Sequence, residues 1–155
     1  MRIRAIALGL CAPLLLAAAG CQSEDRFSSL PDLVPVSGTV TLDGEPLSGA
    51  SLMFLPVGAT KGQTCYGATD ASGHYELMVS KEHVGAPVGE FEVVVNKWVM
   101  PDGSDFPKDA TVPPGEAGAK ELLPPHYTTE GMSKLKATVP AGGGEINFDL
   151  SLKNG

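Results

Sequence analysis

Thr69-Asp70-Ala71-Ser72-Gly73-His74-Tyr75-Glu76-Leu77 reads as a tight turn running into a strand. An Asp carboxylate accepts hydrogen bonds from backbone amides two residues on, and Gly tolerates the positive φ such turns require. After the turn, Tyr75, Leu77 and Val79 take every second position, the period of a strand with one buried face. With a short strand expected over 65–69, the two segments predict a hairpin.

The same period extends in both directions. Val34, Val36, Val40 and Leu42 share a face with Gly38, against Ser37, Thr39 and Thr41. Asp43-Gly44 supplies a turn, and Pro46 stops the ladder from running straight on. Residues 50–57 are apolar on both faces, which predicts a central strand, and 58–62 break it. The longest strand is expected over 90–99, with Phe91, Val93 and Val95 on one face. Leu135, Ala137 and Val139 resume the alternation, 141–144 turn the chain, and Ile146, Phe148, Leu150 and Leu152 close it. Seven or so short strands without a long amphipathic helix predict an all-β fold, an antiparallel sandwich over 34–155. Its expected core includes Leu77, Phe91, Val93, Ile146 and Phe148.

Residues 100–133 interrupt this pattern. They hold six prolines and no sustained period, so 100–134 reads as a long loop, a solvated insertion at one end of the sandwich. Its freedom from the ladder also makes it the candidate partner-contacting surface. Phe106 and Tyr127 are its expected anchors, and Trp98, off the Phe91/Val95 face, is a third exposed aromatic candidate.

At the other end, Arg2 and Arg4 precede an apolar run over 5–19, too short for a comfortable transmembrane helix. It closes in Leu16-Ala17-Ala18-Ala19-Gly20-Cys21, which resembles the lipobox of bacterial lipoprotein signal peptides. The resemblance implies cleavage between Gly20 and Cys21, a lipid on the Cys21 thiol, and export to a bacterial membrane face. Residues 1–20 are then signal peptide and 21–33 a polar tether. The formal charge of −7 includes Arg2 and Arg4, so the mature chain carries −9. That sign argues against nucleic acid and leaves membrane contact to the anchor on Cys21. Cys11 lies in the signal and Cys21 in the lipobox, so Cys65 has no partner for a disulfide framework and reads as a small buried residue.

Three blocks carry a second resemblance. Val36-Ser37-Gly38-Thr39-Val40 with Gly44-Glu45-Pro46-Leu47-Ser48-Gly49-Ala50, the 69–77 turn and strand, and Gly89-Glu90-Phe91-Glu92-Val93-Val94-Val95 are similar in order and spacing to carboxypeptidase regulatory-like, or transthyretin-like, β-sandwich domains. The resemblance implies a non-catalytic module carried on surface proteins. The branch that hydrolyses 5-hydroxyisourate ends in Tyr-Arg-Gly-Ser. This chain ends Ser151-Leu152-Lys153-Asn154-Gly155, so that catalytic site does not carry across.

The residues themselves suggest little chemistry. His74, His83 and His126 lack a compact metal-ligand spacing, and Asp70 with Ser72 lacks the further carboxylates of a calcium loop. A Cys65/His74 nucleophile pair has no identifiable orienting group, and the alternating Glu90/Glu92 and Glu145/Asp149 pairs suit an outer strand face. No cofactor or metal is implied and no catalytic residue is assigned. The expected role is a non-catalytic, membrane-anchored accessory or interaction module at the cell envelope, its partner an envelope protein. A carbohydrate-binding module, with a polysaccharide partner, is the alternative, and a small hydrolase comes third.

Overall fold

The computed structural model describes residues 31–107 and 109–154. The expected signal, the Gly20/Cys21 cleavage and lipidation site and all of the tether before Pro31 lie outside the described residues. Eight strands of three or more residues form among those described: β1 (Val36–Leu42), β2 (Ser51–Pro56), β3 (Cys65–Ala68), β4 (His74–Glu76), β5 (Met78–Ser80), β6 (Gly89–Asn96), β7 (Leu135–Val139) and β8 (Phe148–Leu150). They make an all-β sandwich. One sheet runs β7-β6-β2-β3-β5 and ends on His83–Val84. In the other, β1 is flanked on one side by Gly144–Glu145 and β8, on the other by Glu45–Pro46 and β4.

The local chemistry accounts for the turns. Asp43 and Gly44 both have positive φ (51° and 91°), the two-residue turn that matches strand twist, and Leu42 pairs with Glu45 across it. Asp70 Oδ1 accepts from Ser72 N (2.8 Å), Ser72 Oγ (2.7 Å) and His74 N (3.0 Å). Gly73 holds φ at 77°, and a Cβ there would meet the Val40 carbonyl oxygen at 2.6 Å.

Two expectations are corrected. The 69–77 stretch is an arch between sheets before the expected hairpin forms: β4 pairs with β1 in the second sheet, and only past Leu77 does β5 pair antiparallel with β3, Tyr66 opposite Met78. The chain returns to the first sheet across Leu77, whose N–H donates to Val36 O (2.9 Å). Period two is the same on either side of that step, so alternation alone does not reveal it. The closing strand is parallel to β1, with Phe148 opposite Val40, so not every pairing is antiparallel. First and last strands share no connecting turn, and nothing obliges them to run in opposite directions. Their close approach needs Gly38, because a Cβ there would collide with the Ile146 carbonyl oxygen.

Between the sheets Phe54 lies 6.2, 5.9 and 6.0 Å from the ring centres of Tyr75, Phe91 and Phe148. Leu77, Phe91, Val93 and Phe148 are buried as expected, Ile146 packs half-buried against them, and Leu152 is exposed. Tyr75 donates its hydroxyl to Ile146 O (2.6 Å), so the buried phenol has its partner and ties the two sides of β1 together.

Candidate functional site

Residues 97–133 are not a loose insertion. The second half folds back onto the sandwich: Leu123 and Tyr127 join the core, with Tyr127 on a one-turn helix, α1 (Pro125–Thr128). Pro125 occupies the first helical position, where its missing N–H costs nothing. Tyr127 is therefore a core residue and not a projecting anchor, and its hydroxyl accepts from Ser151 N (3.3 Å).

The first half forms a hairpin over 98–106. Trp98–Val99 pairs with Lys120–Glu121, Val99 bridges Asp105, and Phe106 N donates to Trp98 O (3.2 Å). At its tip Asp102 Oδ1 accepts from Ser104 Oγ (2.7 Å) and N (3.0 Å), and these bonds hold the Asp102 carboxyl below the usual carboxylate range.

Two charged residues fix the hairpin base. Lys97, only 4 % exposed, follows β6 at a position that continues the inward series Phe91, Val93, Val95. Its Nζ donates to Ser48 O (2.7 Å) and forms an ion pair with Asp105, whose other oxygen accepts from Ser48 Oγ (3.4 Å). Glu121 gathers three donors: Asn96 Nδ2 (3.0 Å), Lys97 N (2.9 Å) and Leu123 N (3.0 Å). A buried ammonium is tolerable only when paired and hydrogen-bonded, and both conditions are met.

Held this way, Trp98 and Phe106 line one cleft of about 330 Å³ with Pro107, Asn96, Ser51 and Ala68. Both rings are half-buried. The structure thus brings together two of the three sequence-predicted contact residues and removes the third. Sequence reasoning missed Lys97, Asp105 and Glu121. The signal for the first was present, since a lysine on the inward period of a strand announces a buried charge in need of a partner.

Other candidates fall to structural roles. Cys65 is fully buried in the first sheet, where burial pushes its thiol up to about 11, while His74 is exposed in the second sheet. Glu92 pairs with Lys136 (2.9 Å) and accepts from Gly131 N. Asp149 accepts from Thr41 Oγ1 (2.6 Å), and Glu145 from Asn147 Nδ2 (3.0 Å). Ser80 Oγ sits 2.9 Å from His83 Nδ1 and 3.0 Å from a Glu82 carboxylate oxygen, and it accepts from Glu82 N (3.2 Å), bonds that close the turn between Ser80 and His83. Among the described residues no group of three His, Cys, Asp or Glu is placed to hold a metal, and no helix is long and apolar enough to cross a membrane. No family model matches the chain, and neither a curated protein nor a solved structure matches it.

Proposed function

We propose that this chain is a non-catalytic, lipid-anchored accessory module of the bacterial cell envelope that grips a partner protein through the Trp98/Phe106 cleft. The resemblance of residues 16–21 to a lipobox supports the anchor on Cys21, and the order of the 36–50, 69–77 and 89–95 blocks supports a transthyretin-like module. The observation that carries the partner contact is the cleft itself: two half-buried rings beside small residues, held by the ion pair of buried Lys97 with Asp105. Preformed aromatic clefts of this kind carry binding energy because little ordering is needed on contact. The segment 101–118 beside it has a net charge of −3 (Asp102, Asp105, Asp109 and Glu116 against Lys108). An apolar side chain flanked by basic residues complements that surface.

The test is recovery of envelope proteins from membranes by the full-length protein and by the double variant Trp98→Ala, Phe106→Ala. Loss of specific partners with an unchanged melting temperature supports the reading, and full retention of every partner defeats it. Replacing Cys21 with Ser should separately release the mature protein from the membrane fraction or stall its processing. Ser51 and Asn96 beside the Trp98 ring favour carbohydrate as a second reading, distinguished by glycan binding that the same double variant abolishes.

A further inference from the structure

Resting on the anchored reading above, we propose that the sandwich stands with its Trp98/Phe106 end turned away from the bilayer. The cleft then opens on the aqueous space, and the protein it grips is met there. The chain enters the sandwich at one end: Leu33 and Val34 pair with Pro87 and Ala86, and Pro31 and Asp32 border a groove with Lys61, Val88 and Glu90. The cleft is at the other end. Strand β6 connects the two, since Gly89 lines the groove and Asn96 lines the cleft. The antiparallel neighbour β2 agrees, with Ser51 opposite Asn96 and Pro56 opposite Phe91. Seven residue steps separate Gly89 from Asn96, about 23 Å at the usual strand rise.

Cys21 and Pro31 are ten residue steps apart, a chain that reaches at most about 35 Å. Bringing Trp98 to the lipid would stretch that chain back along the sandwich over about 23 Å, roughly two thirds of its reach, and so cost it conformational freedom. It would also carry the acidic segment 101–118 toward the surface, a net −2 once Lys97 is set against Asp105, against the repulsion of an anionic bilayer. Chain entropy and charge therefore favour the same orientation.

The chain's single tryptophan makes this measurable, because its emission reports the cleft end alone. Full-length lipidated protein is reconstituted in phosphatidylethanolamine/phosphatidylglycerol vesicles containing a headgroup dansyl lipid, and energy transfer from Trp98 is recorded. The comparison proteins carry Trp98→Phe with either Val88→Trp or Lys61→Trp, two exposed positions at the chain-entry end, each checked for native circular dichroism. Transfer from position 88 or 61 several-fold stronger than from Trp98 is the expected result. Equal or stronger transfer from Trp98 in protein that floats with the vesicles overturns the orientation while leaving the anchor intact. Protein that does not float overturns the anchor, and the orientation with it.

Discussion

Phe54 and Trp98 are both large apolar side chains on or beside neighbouring strands, yet they are held in opposite ways. Phe54 is fully buried among Tyr75, Phe91 and Phe148, and its place follows from period-two alternation on strands that face each other. Trp98 is half-buried, and what places it is a polar frame: Lys97 on Asp105 and Ser48, Glu121 on three N–H donors. The comparison teaches that apolar burial specifies the sandwich, while a few charged residues specify its cleft end. A core tolerates any apolar residue of suitable volume, whereas an ion pair depends on two named partners.

The sharpest way to break that comparison is to empty its apolar side. Phe54→Ala should lower unfolding free energy by about 3–5 kcal/mol, measured by denaturant titration, because it leaves a cavity among three rings that cannot all collapse inward. Such a loss is a large part of a typical domain's stability, so the variant should sit near its threshold. A cost below that of any frame substitution would remove the distinction between the two regions.

A smaller effect is expected from Asp105→Ala. It leaves the Lys97 ammonium buried with only the Ser48 carbonyl for company, a cost of roughly 1–3 kcal/mol. The figure lies below that of a fully buried broken pair because the Asp105 side chain is 55 % exposed and Nζ can gain water through the gap. The readout that separates frame from core is Trp98 emission, which should shift to the red while far-UV circular dichroism keeps its sheet signature. Lys97→Met, which removes the buried charge instead of stranding it, should cost less. An unchanged emission spectrum in both variants would show that the hairpin holds without its ion pair.

The legible part of the sequence follows the same division. Alternation located β1, β6, β7 and β8, a run apolar on both faces located β2, and Asp43-Gly44 and Asp70 with Gly73 marked turns, since each of these is a local property of a few consecutive residues. The arch at Leu77 and the parallel closure of β8 on β1 depend on which strand becomes a neighbour, and a period-two pattern serves either neighbour equally. Within 100–134 the prolines suggest a loop. Leu123 and Tyr127, however, are apolar residues that flank the proline pair starting a one-turn helix, Leu123 just before it and Tyr127 within it. An apolar residue on either side of a proline-started turn was the available sign that Tyr127 belongs to the core. Trp98 and Phe106 were readable as aromatics off the ladder, but their meeting in one cleft depends on Lys97 and Glu121, whose partners are distant in sequence.

The smallest expected effect concerns a turn that belongs to neither region. The Asp70 carboxyl is held below the usual carboxylate range, first by the Ser72 hydroxyl and then by the Ser72 and His74 amides. A group whose folded value is depressed binds its proton more readily when unfolded. Its stabilisation is therefore present above the ordinary carboxylate range and is lost as pH falls through the lower folded value. Asp70→Asn keeps an acceptor oxygen for the turn but has nothing to titrate. Wild type and variant should thus differ most in melting temperature near neutral pH, and their curves should converge as pH drops toward about 2. Glu92 and Asp102 are lowered by similar bonds but titrate identically in both proteins, so the difference between the curves isolates Asp70. Because Asp70 lies open to solvent, added salt should shrink the gap at neutral pH only where charge contributes, leaving the part due to hydrogen bonding. Curves that stay parallel throughout the acid range would show that the carboxylate charge does nothing for the arch, and that Gly73 and the backbone bonds close it alone.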